Sequence, residues 1–130
     1  MAIRIVRLGT PRARGEGLRL GTVRRPPRGV RKSDYARRDY YDVWLPELSP
    51  SQALVSWALS APWTPARWRT FARRYRREMR APAAARLLEL LAALSPETRL
   101  AVGCYCEDAS RCHRSVLREL LAEHGAKLTG

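Results

Sequence analysis

Residues 100–121 read LAVGCYCEDASRCHRSVLRELL, and this stretch decides the fold. A short apolar run closes on Cys104-Tyr105-Cys106, and a polar loop with Glu107 and Asp108 follows. Cys112-His113-Arg114-Ser115 then opens an amphipathic pattern with Val116, Leu117, Leu120 and Leu121 on one face. A buried strand handing over to a helix is the building unit of a parallel α/β sheet, and such sheets bind ligands at the carboxyl ends of their strands. All three cysteines and one of the two histidines lie in this handover.

The upstream chain supplies the partners this unit needs. Residues 2–8 alternate apolar and basic side chains and predict a half-buried strand. Gly9 to Gly17 is a Pro/Arg/Gly loop, and residues 18–23 predict a second strand. That strand ends at Arg24-Arg25-Pro26-Pro27-Arg28-Gly29, where two prolines stop regular hydrogen bonding. Residues 30–43 carry Tyr35, Tyr40 and Tyr41 without a regular period. Ser49-Pro50 and Thr64-Pro65 are helix starts, a cap followed by proline. The first predicts a short helix with Ala53, Leu54, Trp57 and Ala58 inward. The second launches residues 65–80, with Trp68, Phe71, Ala72, Tyr75 and Met79 on one face and seven arginines opposite. A helix over 83–94 should bury Leu87, Leu88, Leu91 and Leu94, and a strand over 99–105 should follow. The last helix should begin near Ser110 and stop at Gly125; the pattern does not decide whether residues 126–130 add strand.

The expectation is an α/β fold: one compact three-layer domain over 1–130 with a small, mostly parallel sheet flanked by helices. Within it lie a basic strand-loop region (1–43), a helical region (49–94) and a strand–helix unit (99–125).

Charge is the abnormal quantity. There are 25 Lys+Arg against 12 Asp+Glu, a net +13, and residues 1–38 alone hold 12 basic and 2 acidic side chains. Such an excess favours anionic partners, although arginine alongside abundant alanine and proline also follows from coding bias. On the helix 65–80, Arg69, Arg73, Arg76, Arg77 and Arg80 face away from the core with Glu78 as the one acid of the segment. Pairing within that helix cannot neutralise them, which supports an alternative reading as a non-enzymatic nucleic-acid-binding protein. No apolar run approaches the roughly 18 residues of a membrane span, so no membrane partner is expected. Three cysteines crowded into one motif do not make a secreted disulfide framework; the expected setting is cytoplasmic, with reduced thiols.

The site expectation follows from the handover. Cys104 and Cys106 share a face if the strand continues through both. A helix N-terminus lowers a thiol's pKa and attracts anions. Cys106 and Cys112 are the candidate nucleophilic or redox thiols, with His113 as general acid/base. Arg24, Arg28 and Arg114 would neutralise a small anionic, phosphate- or nucleotide-like ligand, with Ser115 and Cys104 beside it. A phosphatase loop is excluded, because the sixth residue after Cys106 is Cys112 rather than arginine. Thioredoxin-type C-x-x-C spacing is absent as well. A structural metal site on Cys104, Cys106, Cys112 and His113 is a further alternative, at a spacing unlike standard zinc motifs. No metal is assigned and no cofactor is expected.

Several blocks in order resemble a bacterial domain-of-unknown-function family, number 488, most closely its YeaO-like branch. Arg24, Pro27, Arg28 and Gly29 resemble the family's D-R-L-W-P-R-G. Trp44-Leu45, Leu48 and Pro50-Ser51 resemble W-L…L-A-P-S. Trp68, Phe71, Arg74, Tyr75 and Glu78 resemble W-x-x-F-x-x-R-Y-x-x-E, and Cys104 with Cys112-His113-Arg114 resembles C…C-H-R. The resemblance implies a compact α/β fold with the W-P-R-G and C-H-R elements as marked sites, and no known reaction. Val23 and Pro26 stand where the family carries Asp and Trp.

Overall fold

The computed structural model describes residues 2–129. Its strands are β1 (Ile3–Arg7), β2 (Leu18–Gly21), β3 (Val43–Trp44), β4 (Leu100–Cys104) and β5 (Leu128–Thr129). They form one sheet in the order β3-β2-β4-β1-β5, and every pairing is parallel. The apolar run LAVGC becomes the central strand, buried at every residue, as a parallel strand covered on both faces requires. Arg7 pairs with Cys104 and Gly21 with Gly103, so β1, β2 and β4 finish level along one edge.

The helices are α1 (Gln52–Leu59), α2 (Pro65–Glu78), α3 (Pro82–Leu94) and α4 (His113–Glu123). Ser51 and Thr64 cap α1 and α2, their side chains accepting from the amides of Leu54 and Arg67. Leu54, Phe71, Tyr75, Leu88, Leu117 and Leu121 pack on Ile3, Leu20, Leu100 and Val102, so all four helices cover a single face. Irregular chain covers the other face. There Arg19 lies buried against Glu16, and the Tyr41 ring lies so close to Gly21 that a β-carbon would meet it at 2.3 Å.

The expected compact α/β domain is therefore present, with a wholly parallel sheet whose third layer is loop. Several local expectations shift. Ala53 is exposed, because the short helix α1 seats itself through Leu54, Trp57 and Ala58. Leu94 is 37% exposed while Ala84 and Ala92 turn inward. The helix ends at Leu94, and Ser95 turns the chain, its hydroxyl donating to the Ala92 carbonyl and accepting from the Lys127 amide. β4 stops at Cys104 instead of continuing to Tyr105. A 3-10 turn, Ala109–Arg111, takes up the residues before α4, which starts at His113 instead of Ser110. The unassigned stretch contains a 3-10 turn, Lys32–Asp34, and ends in β3, whose Trp44 indole donates to the Val23 carbonyl at 2.7 Å.

Candidate functional site

The level strand ends bring the marked residues to one edge of the sheet. Cys104 ends β4 and Cys112 is the N-cap of α4; both are buried, and Cys106 is exposed in the loop between them. The three sulfurs lie within 4.8 Å of one another, with Cys104 Sγ and Cys112 Sγ 2.6 Å apart. One strand turn and one helix start suffice to assemble them, since both elements pack in the same core.

His113 forms the inner wall. Its Nε2 lies 2.7 Å from the Thr22 carbonyl oxygen and 3.3 Å from Thr22 Oγ1, while that hydroxyl donates to the Gly103 carbonyl at 2.9 Å. Both neighbours of Nε2 act as acceptors, so the network assigns the proton to Nε2. Nδ1 is left as an acceptor, 3.7 Å from Cys112 Sγ. Burial of the ring pulls its pKa down to about 4, and the imidazole is neutral at pH 7. The Tyr75 ring meets it edge-on at 5.5 Å, and Tyr75 itself donates to the Leu48 carbonyl at 2.7 Å. Burial pushes the Tyr75 hydroxyl well above its ordinary pKa, so it remains a donor.

Charge within the thiol cluster is unevenly shared. Hydrogen bonding from Cys104 and Cys112 holds the Cys106 thiol far below its ordinary pKa, aided by the Arg114 guanidinium. Cys104 moves the opposite way, raised by its hydrogen bonds to Cys106 and Cys112 and by burial. For Cys112, the hydrogen bond from Cys104 lowers the pKa, but bonding to Cys106 and burial outweigh it and leave the thiol near 11. Within the cluster the exposed sulfur's pKa is thus lowered and those of the two buried thiols behind it are raised.

Arg114 is 4% exposed. It donates from Nη2 to the Cys106 carbonyl, and its Nε is buried without a partner. No carboxylate pairs with it among the described residues. Ser115, partly buried, donates to the Cys112 carbonyl at 3.0 Å.

The other predicted ligand residues divide. Arg24 is turned away: Nε donates to the Pro50 carbonyl and Nη2 to that of Ser49, clamping the start of α1. Arg28 is exposed and lines an open cleft of about 680 Å³ with Arg7, Arg25, Tyr40 and Tyr105. Arg7 donates from Nε to the Tyr105 carbonyl, and the Tyr105 hydroxyl donates to the Arg25 carbonyl at 2.9 Å. This ties the cleft to the loop that carries Cys106. Sequence reasoning missed Thr22, Tyr75, Arg7, Arg25 and Tyr105. Strand ends converge in a parallel sheet, so the residues just after β1 and β2 were the available signal.

On the arginine face of α2, Arg76 pairs with Glu119 and Glu123 of α4, at 2.6 and 3.0 Å. Arg67 and Arg74 sit over the Trp57 ring. Arg69, Arg73, Arg77 and Arg80 are exposed and have no ion-pair partner among the described residues.

A metal would draw on Cys104, Cys106 and Cys112. Zinc–sulfur bonds near 2.3 Å place two thiolates of a tetrahedral site about 3.8 Å apart. Cys104 and Cys112 are closer than that, and a fourth protein ligand would be His113 Nδ1, since Nε2 is bonded to Thr22. A cationic guanidinium beside the sulfurs also disfavours a metal ion.

A family model named DUF488-N3a, described as the active DUF488-N3 subclade, matches residues 3–125. No curated protein and no solved structure matches the chain. No helix among the described residues is long and apolar enough to cross a membrane.

Proposed function

The chain belongs to the DUF488-N3a family, and from that premise we propose that it binds a small anionic, phosphate- or nucleotide-like ligand at the carboxyl edge of the sheet and acts on it with the Cys106 thiolate. Arg114 carries this reading. A guanidinium 4% exposed, with no carboxylate and an idle Nε, is costly to bury unless an anion completes it. Its charge acts on the Cys106 sulfur, so thiolate and ligand would share one cation. The first turn of α4 adds the positive end of its dipole.

The adjoining cleft supports the ligand class. Arg7, Arg25 and Arg28 supply charge, and Tyr40 and Tyr105 supply rings against which a base could stack. His113 would serve as acid/base for Cys112, through Nδ1, with Thr22 fixing the tautomer. Arg24 clamps the start of α1 and does not line the cleft.

The test is the pH dependence of Cys106 alkylation by iodoacetamide, with and without inorganic phosphate or adenosine monophosphate. The expected result is reaction well below pH 8 and protection by either anion, weakened in Arg28→Ala. An ordinary thiol profile, or no protection at any concentration, rejects the reading. The unpaired arginines of α2 favour nucleic acid as a second reading. Duplex binding with a steep salt dependence, lost in Arg69→Ala/Arg73→Ala/Arg77→Ala, would establish it. Absence of binding at low salt would dismiss it.

A further inference from the structure

We propose that the three cysteines form a thiol–disulfide relay, in which exposed Cys106 takes up oxidising equivalents from a small disulfide and the buried pair Cys104–Cys112 stores them. Three observations carry this. The sulfurs lie within 4.8 Å of one another, so each can reach the next without rearrangement of the fold. One is exposed and two are buried, which separates the sulfur that meets substrate from those that do not. The closest contact, 2.6 Å, is between the two buried sulfurs, which makes them the natural end of the sequence.

The steps balance. The Cys106 thiolate attacks one sulfur of a disulfide RS–SR, forming Cys106–S–S–R and releasing RS⁻. Cys112 gives its proton to the first RS⁻ released and attacks the Cys106 sulfur, releasing the second RS⁻. Cys104 gives its proton to the second RS⁻ and attacks Cys112, forming the Cys104–Cys112 bond and returning Cys106 as thiolate. The protons of the Cys104 and Cys112 thiols end on the two RS⁻ leaving groups. Overall RS–SR is reduced to two RSH, and the two buried thiols are oxidised to one disulfide. Arg114 favours Cys106 as both attacking and final leaving thiolate, since low-pKa thiolates leave fastest. The leaving groups exit on the open side, where Cys106 meets solvent.

The relay uses the same Cys106 as the proposed function but needs no anionic ligand. The test treats the reduced full-length chain with bis(2-hydroxyethyl) disulfide and maps thiols by mass spectrometry. The expected product is lighter by two hydrogens, linked Cys104 to Cys112, with Cys106 free to alkylate. In Cys106→Ser, an exposed site expected to leave the fold intact, formation of that bond slows by about tenfold or more. In Cys112→Ser, the hydroxyethyl adduct accumulates on Cys106. The relay is overturned if the wild type keeps all its thiols, holds a stable Cys106 adduct, or oxidises equally fast as Cys106→Ser. If it fails while Cys106 is still alkylated fast and protected by phosphate, the relay alone falls and the ligand reading stands.

Discussion

Two buried arginines, Arg19 and Arg114, sit at opposite ends of this chain and in opposite states. Arg19 is 1% exposed and fully occupied. Its Nε donates to Glu16 at 2.6 Å, Nη1 to the carbonyls of Thr10 and Asp39, and Nη2 to Pro11 and Glu16. Arg114 is nearly as buried, yet it holds one carbonyl and leaves Nε idle beside a thiolate. The first guanidinium organises the loop layer over one face of the sheet. The second is incomplete, as are Arg67 and Arg118 at one buried nitrogen each, and a buried charge left incomplete calls for an explanation.

The comparison breaks most visibly at Glu16. Glu16→Gln leaves the Arg19 charge buried and uncompensated, and should cost about 3–5 kcal/mol in urea unfolding. Arg19 also holds the Glu16 carboxyl below its ordinary range, against the opposing effect of burial. This stabilisation is therefore present above the unfolded carboxyl pKa and lost as pH falls through the lower folded value.

His113 should act at higher pH. Its folded value near 4 lies below the ordinary 6.5, so the unfolded chain binds the proton first. Stability should be complete above pH 6.5 and fall by about 3 kcal/mol between there and pH 4. His113→Gln, followed by unfolding across that window, should flatten the slope.

Arg114→Met sharpens the contrast directly. Lacking a carboxylate partner among the described residues, Arg114 should be replaceable within about 1 kcal/mol, while the pH at which Cys106 alkylation sets in moves upward. A destabilisation as large as that of Glu16→Gln would show the two arginines to be alike. The smallest effect belongs to Arg76→Ala on the surface, under about 1 kcal/mol despite its two carboxylates, and abolished by salt.

Much of this was legible in local pattern. LAVGC and the stripe Val116, Leu117, Leu120, Leu121 give β4 and α4 because periodicity depends on near neighbours alone. Thr64-Pro65 marks the start of α2 for the same reason, whereas α1 is capped by Ser51, two residues beyond the expected Ser49. The resemblance blocks were visible as motifs, but not what joins them. Glu78 accepts from the Ser51 amide and hydroxyl, Tyr75 reaches Leu48, and Arg24 reaches Ser49 and Pro50. Each of these bonds spans more than twenty residues. Arg24 was expected to face the ligand because β2 lies beside β4; it does lie there, and the guanidinium turns the other way.

By itself the sequence determined that a buried strand hands three cysteines, a histidine and an arginine to a helix, since side-chain alternation and helical period are written into consecutive residues. Only the tertiary structure decided which sulfur meets solvent, which nitrogen of His113 carries the proton, and that buried Arg114 has no carboxylate partner among the described residues. Those outcomes depend on groups such as Thr22 and Glu16, brought into place by strand pairing and loop packing across the chain, and hydrogen bonds and burial between distant residues leave no period in the sequence to read.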